Sequence, residues 1–172
     1  MDIANAKRSW LIPALGLTQI VGWGSMFYAY GVLMQPMESE LQTSRSVVVG
    51  AYSIALLISG CLSTLAGAII DRIGGRLLMG AGTLLAAAML VLLSNVQSIL
   101  ELYLAWAGIG IAMSATLYQS SFAVLTQVFG TGYRRAITAL TLFGGFASTV
   151  FWPLTQASVS YTHLTLPTIL LV

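Results

Sequence analysis

Few residues in this chain are able to do chemistry, and most of them gather in one place. Asp71, Arg72 and Arg76 share the run Gly67-Ala-Ile-Ile-Asp71-Arg72-Ile-Gly74-Gly75-Arg76. Paired glycines allow a tight turn, because glycine takes positive φ at no steric cost. An aspartate beside such a turn can accept hydrogen bonds from the positive N-terminal end of a nearby helix. The arginines can meet lipid phosphates or an acidic partner. Gly67 closes a stripe of small residues, Ser59, Ser63 and Gly67, spaced to let a neighbouring helix approach. A short charged hairpin of this kind suits a conformational latch. Its bonds form in one state and break in another. The bland alternative is a tight turn that carries ordinary interfacial charge.

Other chemistry is poorly provided for. His163 is the single histidine and Cys61 the single cysteine. No Ser-His-Asp triad, Cys-His pair, intramolecular disulfide or His/Cys metal site is expected from them. A phosphate-binding G-x-x-x-x-G-K-[ST] loop is absent from the sequence, which disfavours an ATP-driven pump. The chain is therefore read as a non-enzyme with no catalytic residue, no cofactor and no metal.

The surrounding composition says what must position the hairpin. Of 172 residues, 58% are hydrophobic and 7% are charged, and the mean hydropathy is +0.90. A typical soluble domain has about 45–50% and about 25%. Seven basic and five acidic side chains cannot clothe a soluble surface. This excludes a soluble enzyme, a disordered chain, a disulfide scaffold and a nucleic-acid binder. It leaves an all-α protein of the membrane.

A helix needs about 20 apolar residues to cross the hydrocarbon core. Long apolar runs predict spans over about 10–34, 47–70, 77–93, 102–129 and 136–157. The runs are too long and too continuous for barrel strands. The first is too long for a signal-peptide core, and no small-x-small cleavage pattern follows it. With five spans, Lys7, Arg8, Arg72, Arg76, Arg134 and Arg135 fall on one side. Arg45 falls on the other, with Glu38, Glu40 and Glu101. The excess of basic residues predicts a cytoplasmic N-terminus. A bacterial inner membrane is the expected location.

The hairpin resembles the G-x-x-x-D-R-x-G-x-R signature of the major facilitator superfamily of secondary transporters. The match falls on Gly67, Asp71, Arg72, Gly74 and Arg76, while Gly75 and Leu77 stand where the family often has basic residues. Gly31-Val-Leu-Met-Gln-Pro36, Leu41-Gln-Thr-Ser-Arg45-Ser and Tyr103-Leu-Ala-Trp-Ala-Gly108-Ile-Gly110 are similar to the monocarboxylate-porter-like branch. The resemblance covers about 10–157. It implies a twelve-helix carrier of two six-helix halves, with substrate bound between them near the midplane. Five spans would be an incomplete amino-terminal half, inactive without the missing carboxy-terminal half.

From Val159 the sequence changes character. Back-translation of 159–168 resembles a transposase-based sequencing adapter, and the chain end agrees with a stop codon in that reading. Residues 159–172 are accordingly expected to be a non-native tail, and the Thr/Leu alternation with Pro167 is not expected to continue the preceding helix.

No Asp, Glu, Lys or Arg lies deep in a predicted span. Buried membrane charges are usually functional. Any coupled proton or ionic substrate clamp is thus expected in the missing half. What remains here is polar and aromatic. Gln19, Trp23 and Tyr30 share a face of an ideal helix, as do Ser114, Tyr118 and Ser121, and approximately Thr141, Ser148 and Trp152. The resemblance implies that these spans line the cavity. Gln19, Trp23, Tyr30, Tyr118 and Trp152 are the candidate contacts for a small organic solute such as a monocarboxylate. Interfacial anchoring of the aromatics is the competing role. The alternative function is a small membrane scaffold or assembly subunit without transport activity.

Overall fold

A computed structural model describes the backbone of residues 3–169 and the side chains of 10–157. The described residues are helical, with no strand among them. Helix α1 spans Ile3–Trp23 and passes through a π turn, Gly24–Tyr28, into α2, Ala29–Glu40. Helix α3 is Arg45–Ile73, α4 is Gly75–Leu93, α5 is Ile99–Thr116, α6 is Tyr118–Phe129 and α7 is Tyr133–Ile169. Three stretches are long and apolar enough to cross a membrane: Arg45–Ile73, Gly75–Leu93 and Ile99–Ala157. The third takes in α5, α6 and the described part of α7.

The breaks follow local chemistry. Gly74 ends α3 at φ 85° and ψ 152°, a conformation open to glycine, and its N–H donates to Ile70 O at 2.9 Å. Ser98 caps α5 by accepting from Glu101 N at 3.3 Å, while Glu101 Oε2 accepts from Gln97 N at 2.8 Å. This is a close variant of the serine–glutamate box that opens helices. The π turn inserts one extra residue, so the faces of α2 are rotated by about 100° from where an unbroken helix would put them.

Two apolar clusters hold the helices. One joins Met26, Val48, Ala51, Ala55, Trp106 and Ile109 toward the end that carries Glu38, Arg45 and Glu101. The other joins Leu15, Leu125, Ala136 and Leu140 toward the end that carries Arg72, Arg76, Arg134 and Arg135. Large apolar side chains also cover the outside: Leu57, Leu84 and Leu142 are 66%, 75% and 64% exposed. In water such a surface would be a liability; against lipid tails it is the expected exterior.

The tightest crossing is between α3 and α5. A Cβ on Gly110 would run into the backbone of Ala55. Glycine there lets two backbones touch, as small residues do between membrane helices. The same role expected of Gly67 is not found. Nothing lies within 4 Å of a Cβ built on Gly67, and α3 packs through Val48, Ala51, Ala55, Ala66 and Ile70 instead. The Ser59, Ser63, Gly67 stripe is only partly buried and drifts to the side of the face that carries Ala51 and Ala55, leaving open space at Gly67. A second difference concerns 159–169, which continue α7 without interruption to Ile169. Between Val159 and Leu166 there is neither glycine nor proline, and Pro167 falls only in the last turn, so nothing local stops the helix.

Gly110→Ala is expected to lower stability in detergent by about 1–3 kcal/mol through overpacking. Gly67→Ala is expected to stay within about 0.5 kcal/mol. Denaturant unfolding followed by circular dichroism measures both. Equal effects would contradict this assignment of the crossing.

Candidate functional site

Helix α5 stops abruptly inside an apolar run. Leu117 is extended, at φ −78° and ψ −164°, and α6 resumes at Tyr118. The residues around it explain the break. Ser114 Oγ donates to Ile111 O at 2.7 Å and Thr116 Oγ1 donates to Ala112 O at 2.7 Å. Such back-bonding competes with the helical ladder. The Ser114 and Thr116 carbonyls then need other donors. Ser120 Oγ reaches across the break to Ser114 O at 2.8 Å. Gln19 Nε2, from α1, donates to Thr116 O at 2.9 Å and to Ser121 Oγ at 2.8 Å. Gln19, Ser120 and Ser121 have no exposed surface. Gln19 precedes Glu38 by nineteen residues, about 28 Å along a helix. The break therefore lies far from that end of the bundle.

Rings extend from this point. Phe122 and Tyr118 stack at 5.2 Å, and Trp23 stands 5.0 Å from Tyr118 and 5.0 Å from Phe27. Phe27 is 6.0 Å from Tyr52, which lies face to face with Tyr30 at 3.9 Å. Trp106 meets both tyrosines edge-on, at 5.4 Å and 5.1 Å. The edge-on contacts of Trp106 with Tyr30 and Tyr52, and of Phe27 with Trp23 and Tyr52, have the geometry favoured by aromatic pairs. Several polar atoms in the row are buried without a hydrogen-bond partner: Gln19 Oε1, Trp23 Nε1, Tyr30 Oη and Trp106 Nε1. A buried polar atom left unpaired costs about 1–3 kcal/mol. Together they offer two indole donors, a phenol and an amide acceptor along one aromatic wall. All four are closed off by the surrounding side chains in this conformation. Among the described residues, no group of three or more His, Cys, Asp or Glu side chains could hold a metal.

The expected contacts are thus brought together in part. Gln19, Trp23 and Tyr118 surround the break. Tyr30 joins the wall only through Phe27 and Tyr52, because the π turn moves it off the Gln19 face. Trp152 is elsewhere. It is 54% exposed and lines a separate cavity with Gly31 and Glu38. The hydroxyls once grouped with it are spent on their own helix: Thr141 Oγ1 donates to Ile137 O at 2.9 Å and Ser148 Oγ to Gly145 O at 3.3 Å. Tyr118 Oη donates to Thr141 O at 3.3 Å and sits where a Cβ on Gly144 would be. Sequence reasoning missed Tyr52, Trp106, Thr116 and Ser120. Tyr52 could have been noticed as the one ring in the apolar run from Val47 to Ile70. Trp106 meets its partners only through the α3–α5 crossing, which no spacing announces.

At the other end, the hairpin makes one bond between helices. Gln127 Nε2, near the end of α6, donates to Asp71 Oδ1 at 2.7 Å. The partner is a side chain rather than the helix N-terminus expected for Asp71. Gly75 approaches Val124 of α6 closely, which seats the start of α4 beside it. Arg72 and Arg76 are exposed and form no ion pair with a carboxylate among the described residues.

No protein-family model, curated protein or solved structure matches this chain.

If Asp71 and Gln127 tie α3 to α6, Asp71→Ala and Gln127→Ala should each destabilise slightly and be non-additive. A double-mutant cycle in detergent is expected to give a coupling of about 0.5–1 kcal/mol, since the pair is exposed. Strict additivity would mean that the bond holds nothing.

Proposed function

We propose that these helices are the amino-terminal part of a secondary carrier of the major facilitator superfamily, moving a small organic solute such as a monocarboxylate by alternating access. The observation that carries this reading is the broken α5–α6 rod with buried Gln19 at the break. Irregular backbone within a membrane is tolerated where it is packed in protein or lines a cavity. Carriers use such discontinuous helices to build their binding sites. The buried, unpartnered polar atoms of Trp23, Tyr30 and Trp106 are donors that a small solute would take up when the wall opens in the transport cycle.

The hairpin supports the same reading. A single neutral-to-charged hydrogen bond, Asp71 to Gln127, is weak enough to break on each cycle and directional enough to favour one state. Arg72 and Arg76, exposed and in no ion pair with a carboxylate among the described residues, suit a cytoplasmic face rich in acidic lipid. In this reading each of the five rods crosses the bilayer: α1 with α2, α3, α4, α5 with α6, and α7. A second half supplies the opposing wall of the cavity and any charge that couples transport to a proton.

Two measurements test the proposal. On a Cys61→Ser background, Arg72→Cys is expected to react with an impermeant maleimide only in inside-out vesicles, and Glu40→Cys only in right-side-out ones. The reverse pattern would contradict the orientation. A two-half carrier that contains these helices, reconstituted in proteoliposomes, is expected to exchange labelled monocarboxylates or related small organic solutes. Absence of flux across such a panel would favour a scaffold role.

A further inference from the structure

A second site lies at the end of the molecule opposite Asp71. A cavity of about 740 Å³ opens between α2, the start of α3 and α7, with Met34, Gln35, Glu38, Arg45, Trp152 and Gln156 in its wall. Glu38 is largely enclosed, with 27% of its side chain exposed, while that of Arg45 is 71% exposed. Glu38 Oε1 is buried and accepts no hydrogen bond. Arg45 Nε stands 3.9 Å from it, beyond hydrogen-bond reach. The carboxylate in the wall therefore has an acceptor unfilled and only a loose ionic neighbour, the exposed Arg45 guanidinium, on the same cavity. Trp152, about half exposed, stands in the same wall.

These charges select a ligand class. An organic cation would gain Glu38 but meet Arg45. An organic anion would gain Arg45 but meet Glu38. A molecule with both charges a few ångströms apart satisfies each. Its ammonium can pair with Glu38 once that side chain turns its enclosed Oε1 into the cavity, and its carboxylate can accept from the Arg45 guanidinium; hydrogen bonds between charged groups are the strong ones. Trp152, Met34 and Val32 supply an apolar wall for the rest of the molecule. The volume falls within the usual range of about 300–1,000 Å³ for small-molecule sites. We propose that this cavity binds a zwitterionic solute, an amine and a carboxylate on one small carbon skeleton with an apolar side chain. The site is separate from the aromatic wall, and its test reads binding rather than flux, so it does not rest on the carrier reading.

The probe is radiolabelled L-phenylalanine, measured by equilibrium dialysis against the full chain in lipid nanodiscs. Phenethylamine and 3-phenylpropanoate serve as competitors, because each keeps the skeleton and one of the two charges. Saturable binding of phenylalanine is expected, with each competitor weaker by about tenfold or more. Glu38→Gln and Arg45→Gln are each expected to weaken binding by about tenfold, with helical circular dichroism unchanged. Trp152→Leu is expected to weaken it less. The proposal is overturned if the folded chain shows no saturable phenylalanine binding. It is equally overturned if either competitor matches phenylalanine, or if both charge-neutralised variants bind as the parent does.

Discussion

A backbone carbonyl inside a membrane protein has no water to turn to, and the arrangement around Gln19 follows from that. When the chain leaves the helix at Leu117, the carbonyls of Ser114 and Thr116 lose their ladder partners. Ser120 supplies one donor from within the broken rod, and Gln19 supplies the other from α1. A single amide thereby couples the first helix to the fifth and sixth. It also leaves its own Oε1 buried and unfilled. That unfilled acceptor sits on a side chain which, with Ser120 and Ser121, has no exposed surface.

The rest of the bundle supports that arrangement by close contact rather than by charge. Gly110 lies on the backbone of Ala55, and a Cβ on Gly82 would be 2.7 Å from Ala115 and 2.8 Å from Thr116, at the approach to the break. These contacts hold α5 between α3 and α4 and so fix where the break falls. Charged side chains are kept to the two ends. Asp71 bonds Gln127 at one, and Glu38 stands loosely opposite Arg45 at the other. Both links are weak: the first is exposed, and the second is too long for a hydrogen bond.

The helices were legible in the sequence because apolar length is a one-dimensional property. Helix covers each of the five predicted runs, with a break at Leu117 in the fourth and a π turn in the first, while three stretches are long and apolar enough to cross a membrane; the glycine hairpin turns at Gly74. The interior was legible only in part, and the reasons are specific. Spacing on an ideal helix put Tyr30 with Gln19, but a π turn, which has no sequence signature of its own, rotated it away. Ser114, Thr141 and Ser148 looked like cavity hydroxyls, yet each bonds its own helix. Trp152 has the right type but faces another space. Trp106 and Tyr52 lay hidden in runs whose only visible feature was apolarity, and their stacking on Tyr30 depends on a crossing set by Gly110. Gly67 looked like a packing glycine because its spacing from Ser63 and Ser59 is right, but α5 meets the alanine face of α3.

The most direct test of the Gln19 clasp is a double-mutant cycle of Gln19→Leu and Ser121→Ala, read by denaturant unfolding in detergent. If the amide bridges α1 to the broken rod, Gln19→Leu should cost about 2 kcal/mol, and the pair should couple by about 1 kcal/mol. A loss below about 0.5 kcal/mol with no coupling would show that Gln19 does not hold the break.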